Sequence, residues 1–161
     1  MTTHQTDIKL RPTTVADLDS LFLFQLDKEA IYLAAFTPKH PTNKAAYLEK
    51  YTNILHDSTT NNQTILVYNV IAGSIGKFMM EGHAEITYWI DRKFWGQGVA
   101  TRALQQFLDI ETTRPIVPRV AFDNLGSQKV LEKCGFIKVG ADKGFAHARQ
   151  IEIEEFIYQL A

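Results

Sequence analysis

The sequence contains one cysteine, Cys134, among its 161 residues. A single cysteine can form neither an internal disulfide nor a cysteine-based zinc site. Apolar runs are short, and none approaches the roughly 20 residues that a membrane-spanning helix needs. The N-terminal stretch Met1–Asp7 is polar, so no signal peptide is expected there. These absences make a membrane association unexpected and a cytoplasmic location the default expectation.

The sequence also lacks an excess of charge of either sign. The sequence has 17 Lys and Arg residues and 18 Asp and Glu residues, which gives a net charge of −1. The charge balance therefore gives no sign of a broad basic surface, and nucleic acid is not expected as a partner. The five histidines show no ligand spacing, and no metal is expected. Because repeats, low-complexity tracts and linkers are also missing, residues 1–161 are predicted to form one domain.

Hydrophobic periodicity predicts a fold that mixes helices and strands. Strands are expected at Ile8–Arg11, Thr64–Ile71, Ser74–Met80, Ala84–Ile90, Val117–Phe122, Phe136–Val139 and Arg149–Tyr158. Helices are expected from Thr14 to Leu26, from Lys28 to Ala35, from a cap at Thr42 or Asn43 to Leu55, from Val99 to about Glu111, and from Ser127 to Lys133. Ala72-Gly73 is interpreted as a hairpin turn and Gly140–His147 as a loop. Several strands are thus joined by turns too short for a parallel crossover, which excludes a doubly wound parallel sheet.

The stretch Glu85–Thr101 is the most informative about function. A strand, Ile86–Ile90, is followed by Gly96 and Gly98 and then by a helical pattern. Free backbone N–H groups at a helix start, the helix dipole and glycines without Cβ atoms together form a cradle for anions. The Walker motif Gly-x-x-x-x-Gly-Lys-Ser/Thr is absent. The dinucleotide motif Gly-x-Gly-x-x-Gly is also absent, because Thr101 stands where its third glycine would be required. On spacing alone, a tight turn before a helix is the preferred explanation of both glycines.

Trp95–Ala100 (WGQGVA) resembles the pyrophosphate loop Gln/Arg-x-x-Gly-x-Gly/Ala of the GNAT superfamily of acetyl-CoA-dependent N-acetyltransferases. Trp95 departs from the Gln or Arg of that motif. The longer string Phe94–Thr101 is similar to the branch that acetylates ribosomal-protein N-termini. A second block, Asn124–Ser127 followed by Val130–Phe136, resembles the family's Asn-x-x-Ser…Leu-Glu-Lys-x-Gly-Phe segment. The resemblance extends over roughly Ile8 to Tyr158.

This resemblance implies an α/β (α+β) fold of the GNAT type. Its mixed, mostly antiparallel sheet of six to seven strands has a V-shaped splay and about four flanking helices. It implies acetyl-CoA as co-substrate without a metal, an amine acceptor that is a protein N-terminus or a small molecule, and, by analogy, a homodimer. The implied cofactor-binding residues are Trp89, Ile90, Trp95, Gly96, Gln97, Gly98, Val99, Ala100, Thr101, Asn124 and Ser127.

Acetyl transfer from a thioester to an amine requires a base for the amine proton and a donor for the developing oxyanion. By resemblance, Glu85 in Ala-Glu-Ile is the candidate base, and desolvation in a strand would raise its pKa. A Glu at a strand end that pairs with a cation or faces water is an equally weighted alternative. Backbone N–H groups of Trp89 or Ile90 are the implied oxyanion donors. Ser127 is the second catalytic candidate, because the usual tyrosine four residues before the Gly-Phe pair is Leu131.

Other residues keep two interpretations. Arg92 and Lys93 could meet the 3′-phosphate of coenzyme A or lie in a solvated turn. Tyr88 and Trp89 could line a pocket or belong to the core, and Cys134 is expected to be a small buried residue. Asn124 could cap the following helix, contact the cofactor, or do both. The missing tyrosine also keeps open a different function, a non-catalytic sensor or scaffold that binds acyl-CoA.

Overall fold

The computed structural model describes residues 7–161, which form seven strands and five α-helices. The strands are β1 (Ile8–Pro12), β2 (Asn61–Val67), β3 (Val70–Met80), β4 (His83–Ile90), β5 (Arg119–Ala121), β6 (Ile137–Ala146) and β7 (Ile151–Gln159). The helices are α1 (Leu18–Phe24), α2 (Lys28–Ala34), α3 (Lys44–Leu55), α4 (Val99–Ile110) and α5 (Leu125–Lys133). Short 3₁₀ turns precede α1 at Val15–Asp17 and follow β4 at Arg92–Phe94. The polar stretch Met1–Asp7 lies, apart from Asp7, outside the described residues.

The strands form two antiparallel sheets that meet at one place. The first has the order β1-β2-β3-β4 and the second the order β5-β7-β6. A parallel bridge joins Ala84 of β4 to Ile116, which also bridges to Leu160 beyond β7. From that junction β4 and β5 diverge, so the two sheets open like a V. The predicted fold class, with its splayed sheet, is therefore confirmed.

The main core lies between the first sheet and α4. The buried residues of α4 are Val99, Ala103, Leu104 and Phe107, a spacing that keeps them on one side of a helix. Alternate residues of β4, namely Ala84, Ile86 and Ile90, belong to the same buried cluster. The intervening residues of that strand therefore face the opposite side of the sheet, away from α4.

The first hairpin differs from its prediction. The turn between β2 and β3 consists of Tyr68 and Asn69, both at positive φ, whereas Ala72-Gly73 lies inside β3. A Cβ on Gly73 would lie 2.1 Å from the carbonyl oxygen of Trp89. The glycine therefore permits a close approach of two strands, which is a second reason for glycine within a sheet.

The segment predicted as the loop Gly140–His147 is instead mostly strand. β6 runs to Ala146 and pairs along its length with β7, with one register irregularity between Lys138 and Gly140. Most of its residues are exposed, and β6 is one of the two outer strands of its sheet. An exposed outer strand lacks the alternation of apolar and polar residues by which strands are recognised in sequence. The third helix begins as predicted, with the Asn43 side chain accepting a hydrogen bond from Ala46 N at 3.0 Å.

Candidate active site

The turn between β4 and α4 has the backbone that its glycines favour. Gly96 and Gly98 have φ of 73° and 75°, in the left-handed region that residues with a Cβ rarely adopt. Among residues 7–161, no heavy atom lies within 4 Å of the place where a Cβ would be on either glycine. The two glycines therefore border open space. Gly98 is also the N-cap of α4, whose first N–H groups lack partners within the helix.

A cavity of about 510 Å³ opens beside this turn, between β4, α2, α4 and α5. It brings together all the predicted cofactor-binding residues except Gln97. The side chain of Gln97 is exposed and donates to the Lys93 carbonyl at 3.1 Å. Tyr88 also lines the cavity, which was one of its two interpretations from the sequence. Further lining residues were not predicted: Ala30, Leu33, Ala34, Phe94, Gly126, Lys129, Val130 and Lys133. The spacing of Lys129 and Lys133, four residues apart on a helix, is a signal that could have indicated a shared face.

One edge of β4 faces the splay, and the directions of its backbone groups follow from two hydrogen bonds. Asp91 N donates to Ala72 O of β3 at 2.8 Å, whereas Ala84 O accepts from Val117 N on the opposite side at 2.8 Å. Backbone groups alternate in direction along a strand. The N–H groups of Tyr88 and Ile90 therefore point into the splay, and that of Trp89 points to β3. Of the two oxyanion donors expected from the sequence, this alternation favours Ile90.

The two tryptophans have structural hydrogen bonds. Trp95 Nε1 donates to Ile90 O at 2.9 Å and so fixes the glycine turn to the end of β4. Trp89 Nε1 donates to Phe24 O at 3.0 Å and so fixes the end of α1. An indole can donate across the turn in this way, which gives Trp95 a role independent of the Gln or Arg that it replaces.

The α5 side of the cavity carries Asn124 and Ser127. Asn124 caps α5, since its Oδ1 accepts from Ser127 N at 3.3 Å, and its Nδ2 donates to Leu33 O of α2 at 3.3 Å. The predicted cap is thus confirmed, and the same side chain joins α5 to α2. Across the cavity, the Tyr88 hydroxyl donates to Ser127 Oγ at 2.8 Å. Tyr88 is both a cavity wall and packed against the core.

Glu85 is 9% exposed, and its Oε2 is buried without a hydrogen-bond donor anywhere in the described chain. It lies on β4 beside the junction of the two sheets, on the face away from α4, and outside the cavity lining. Desolvation raises its pKa to about 7, and the charge of Arg119 opposes that rise while those of Glu155 and Glu81 add to it. Arg119 is itself engaged by Glu155 at 2.7 Å and Asp142 at 3.2 Å. A group with this pKa can exchange a proton near neutral pH.

Three other residues singled out in the sequence, Arg92, Lys93 and Cys134, lie outside the cavity lining. Arg92 lies in the exposed turn after β4, with 48% of its side chain exposed, and binds both carboxylate oxygens of Asp27 and also Glu29, at the start of α2. Cys134 is partly buried, with its Sγ 3.6 Å from Thr101 O, and desolvation raises the pKa of its thiol. Lys93 remains exposed beside Asp91.

A family model described as "Acetyltransferase (GNAT) domain" matches residues 7–137. An uncharacterized N-acetyltransferase p20 of Bacillus licheniformis is 27% identical over 163 residues, which cover 95% of this chain and 92% of the relative.

Solved structures share the fold at low sequence identity. RimL, a ribosomal L7/L12 alpha-N-protein acetyltransferase in complex with coenzyme A, has a TM-score of 0.84 at 20% identity, covering 97% of this chain and 94% of its own. A spermidine N-acetyltransferase from Vibrio cholerae, in complex with CoA and spermine, has a TM-score of 0.79 at 20% identity, covering 94% of each chain. None of the helices within residues 7–161 combines the length and the apolar character needed to cross a membrane. Because the family model matches most of the sequence and the splayed fold agrees with it, this chain belongs to the GNAT acetyltransferase family.

Proposed function

We propose that this protein transfers an acetyl group from acetyl-CoA to a primary amine by direct attack in a ternary complex. The observation that carries the proposal is the cavity of about 510 Å³ at the splay. A glycine turn and a helix N-terminus lie at one end of it, and an unpaired strand edge runs along one wall. This arrangement fits a long ligand that has a diphosphate at one end and amide groups along its arm.

The chain's own groups fit coenzyme A in three places. The N–H groups at the start of α4, next to Gly96 and Gly98, suit the diphosphate. The N–H group of Tyr88 suits an amide oxygen of the pantetheine arm, which would take the place of a neighbouring strand. From the other wall, Lys129 and Lys133 add positive charge to the cavity lining.

Acetyl-CoA supplies a thioester carbonyl that an amine can attack. In our proposal Glu85 takes the proton of the amine, directly or through a water molecule, for which a pKa of about 7 is suitable. The N–H group of Ile90 donates to the carbonyl oxygen as negative charge develops on it. Ser127 faces the leaving sulfur from α5.

The acceptor that we propose to test first is a protein N-terminus, and the second is a small-molecule amine. The string Phe94–Thr101 resembles the ribosomal-protein branch, and RimL, whose name describes an alpha-N-protein acetyltransferase, shares the fold. Another protein of the same fold is a spermidine N-acetyltransferase, so the fold does not decide between the two classes.

A second candidate function is a non-catalytic acyl-CoA sensor. The observation that favours it is Leu131, which is 3% exposed in the core where the family's usual acid is a tyrosine. Turnover distinguishes the two functions. A folded protein that binds acetyl-CoA but releases no thiol with either acceptor class would support the sensor.

Isothermal titration with acetyl-CoA, with desulfo-coenzyme A and ATP as comparison ligands, tests the cavity. We expect micromolar binding of acetyl-CoA and no heat with ATP. Gly98→Ala should weaken binding roughly tenfold or more, because a Cβ strains the left-handed backbone and projects towards the diphosphate. Gly82→Ala is the matched control, since Gly82 has φ of 85° and open surroundings but lies in the β3–β4 turn. Absence of acetyl-CoA binding to a folded sample, or equal losses in both variants, would refute the proposed site.

A further inference from the structure

The hydroxyl groups of Tyr88 and Ser127 meet within the proposed cofactor cavity. Tyr88 comes from β4 and Ser127 from the first turn of α5, and the phenol donates to Ser127 Oγ at 2.8 Å. Both residues line the cavity. This contact therefore crosses the splay at the place where the two sheets no longer pair.

The phenol is the donor of this pair for a chemical reason. Desolvation raises the pKa of Tyr88 to about 12, partly offset by its hydrogen bond with Ser127, so the phenol keeps its proton at neutral pH. A phenol is still a stronger acid than an aliphatic alcohol and is hence the better hydrogen-bond donor. When Tyr88 donates, the Ser127 oxygen acts as acceptor and its own proton is left for another partner.

Without such a partner, a helical serine usually turns its hydroxyl back to a carbonyl of the preceding turn. Ser127 is held from two directions instead. Its backbone N–H donates to Asn124 Oδ1 at 3.3 Å, and its Oγ accepts from Tyr88. Because its Oγ accepts from Tyr88, Ser127 has its own proton left for a ligand in the cavity.

We propose that Tyr88 is a positioning residue that orients the Ser127 hydroxyl towards the sulfur of the leaving thiolate. The inference rests on the proposed acetyl transfer and assigns a function to a residue that sequence reasoning left between wall and core. In the step concerned, the amine nitrogen bonds to the carbonyl carbon, and the carbon–sulfur bond breaks with its electron pair passing to sulfur. The amine proton goes to Glu85. Ser127 keeps its proton and shares it with the thiolate as a hydrogen bond, because serine is too weak an acid to give it up.

The location of Tyr88 also relates to the missing tyrosine of the motif. Leu131 lies one helical turn beyond Ser127 on α5 and is buried. A phenol at that position would come from the helix. In this chain the phenol of Tyr88 comes from β4 on the opposite wall of the cavity. We expect it to act by its hydrogen bond to Ser127.

A double-mutant cycle tests the proposal. Tyr88→Phe should lower kcat about fivefold, the size expected for one hydrogen bond, with KM for acetyl-CoA nearly unchanged. Ser127→Ala should lower kcat at least as much. The double variant should match Ser127→Ala, because Tyr88 acts only through Ser127. Tyr158→Phe is the matched control, since Tyr158 is a buried tyrosine bonded to Glu132 at 3.3 Å and lies away from the cavity.

A second readout needs no turnover. The thiol of bound coenzyme A is titrated by its ultraviolet thiolate absorbance in each variant. A hydrogen bond from Ser127 stabilises the thiolate, so Tyr88→Phe and Ser127→Ala should both raise the pKa of the bound thiol, with no further rise in the double variant. Thermal unfolding of each variant verifies that the fold is kept, and a merely structural tyrosine would change that temperature without changing the thiol pKa.

The outcomes separate this inference from the proposed function. If Ser127→Ala slows turnover while Tyr88→Phe changes neither kcat nor the thiol pKa, Ser127 acts without Tyr88 and the inference is wrong. Losses that add in the double variant would also overturn it. If the unsubstituted protein binds coenzyme A without turnover, the proposed function fails and the thiol titration still decides on Tyr88. If it binds no coenzyme A, both proposals fail.

Discussion

Asp17 and Glu85 are two buried carboxylic acids in different regions, 3% and 9% exposed, with opposite surroundings. Asp17, at the start of α1, accepts two hydrogen bonds from Arg11 and one each from Thr14 N and Thr64 Oγ1. Its pKa is lowered to about 2, mainly by Arg11. Glu85, at the sheet junction, has one oxygen to which no group of the described residues donates, and a pKa raised to about 7. At similar burial, the pKa of an acid is therefore lowered where hydrogen-bond donors surround it and raised where they are missing.

The largest effect that we expect from this comparison is on stability. Asp17→Ala should lower the free energy of unfolding by about 3 kcal/mol, because it removes an acceptor from Arg11, Thr14 and the buried Thr64. Urea denaturation measures the change. Asp19→Ala on the same helix is the control, since Asp19 is exposed and, within residues 7–161, forms an ion pair only with Lys44 at 3.0 Å. That control should stay within about 0.5 kcal/mol. Equal losses in the two variants would contradict the structural role of Asp17.

Glu85→Gln should affect turnover instead. We expect kcat to fall roughly 100-fold, about 3 kcal/mol in the barrier, because the amide cannot take a proton. Acetyl-CoA affinity should be kept, and the loss should ease at high pH, where the amine is already neutral. Steady-state kinetics over a pH series measures this, with Glu152→Gln, at an exposed position of β7, as control. Unchanged turnover at neutral pH would remove Glu85 from the mechanism.

The same variant should also show a pH-dependent gain in stability. The pKa of Glu85 is raised from 4.5 to about 7 in the folded protein. Between these values the unfolded chain ionises first, so the native protein loses stability as the pH rises and levels off above 7. Glu85→Gln escapes that loss. Its stability relative to the native protein should increase by about 3 kcal/mol from pH 4.5 to pH 8, measured by chemical denaturation.

The cost of an unpaired amide at residue 85 is constant with pH and cancels in this difference. A difference that did not change with pH would show that Glu85 titrates normally. Asp17 should behave in the opposite sense. Its contribution is present above its unfolded pKa of 3.8 and is lost as the pH falls through about 2.

The smallest effect is expected at an exposed ion pair. Arg92→Ala should change the free energy of unfolding by less than about 1 kcal/mol, because Arg92 is 48% exposed although it binds Asp27 and Glu29. Its affinities for acetyl-CoA and for 3′-dephospho-coenzyme A should change by the same small factor. If the variant lost affinity only for the 3′-phosphorylated ligand, Arg92 would contact the 3′-phosphate, which is the other interpretation that the sequence allowed.

Local patterns made much of the fold predictable. The 3.6-residue spacing of Val99, Ala103 and Phe107 defines α4, and the β-branched and aromatic run of β4 defines its strand. The hairpin at Tyr68 and Asn69 was not predictable, because neither residue is glycine although both have positive φ. The turn predicted at Ala72-Gly73 was wrong, because Gly73 is a glycine that allows close contact with β4 and does not form a turn.

The candidate site divides in the same way. The glycine turn and the cap at Asn124 are local in sequence and were recognised from it. The hydrogen bond of Tyr88 to Ser127 joins residues 39 positions apart, and that of Arg92 to Asp27 joins residues 65 positions apart. No spacing rule reports such pairs. The solvation of Glu85 likewise depends on which distant strands surround it.

The junction of the two sheets at Ala84 and Ile116 has a consequence for amide hydrogen exchange. Beyond that point, protection should alternate residue by residue along β4. The amides of Trp89 and Asp91, directed to β3, should exchange slowly, and those of Tyr88 and Ile90 quickly. A ligand arm lying in the splay would slow exchange at Tyr88 and Ile90 and leave Trp89 and Asp91 unchanged. Exchange at every second amide of β4 would therefore show whether the ligand is bound.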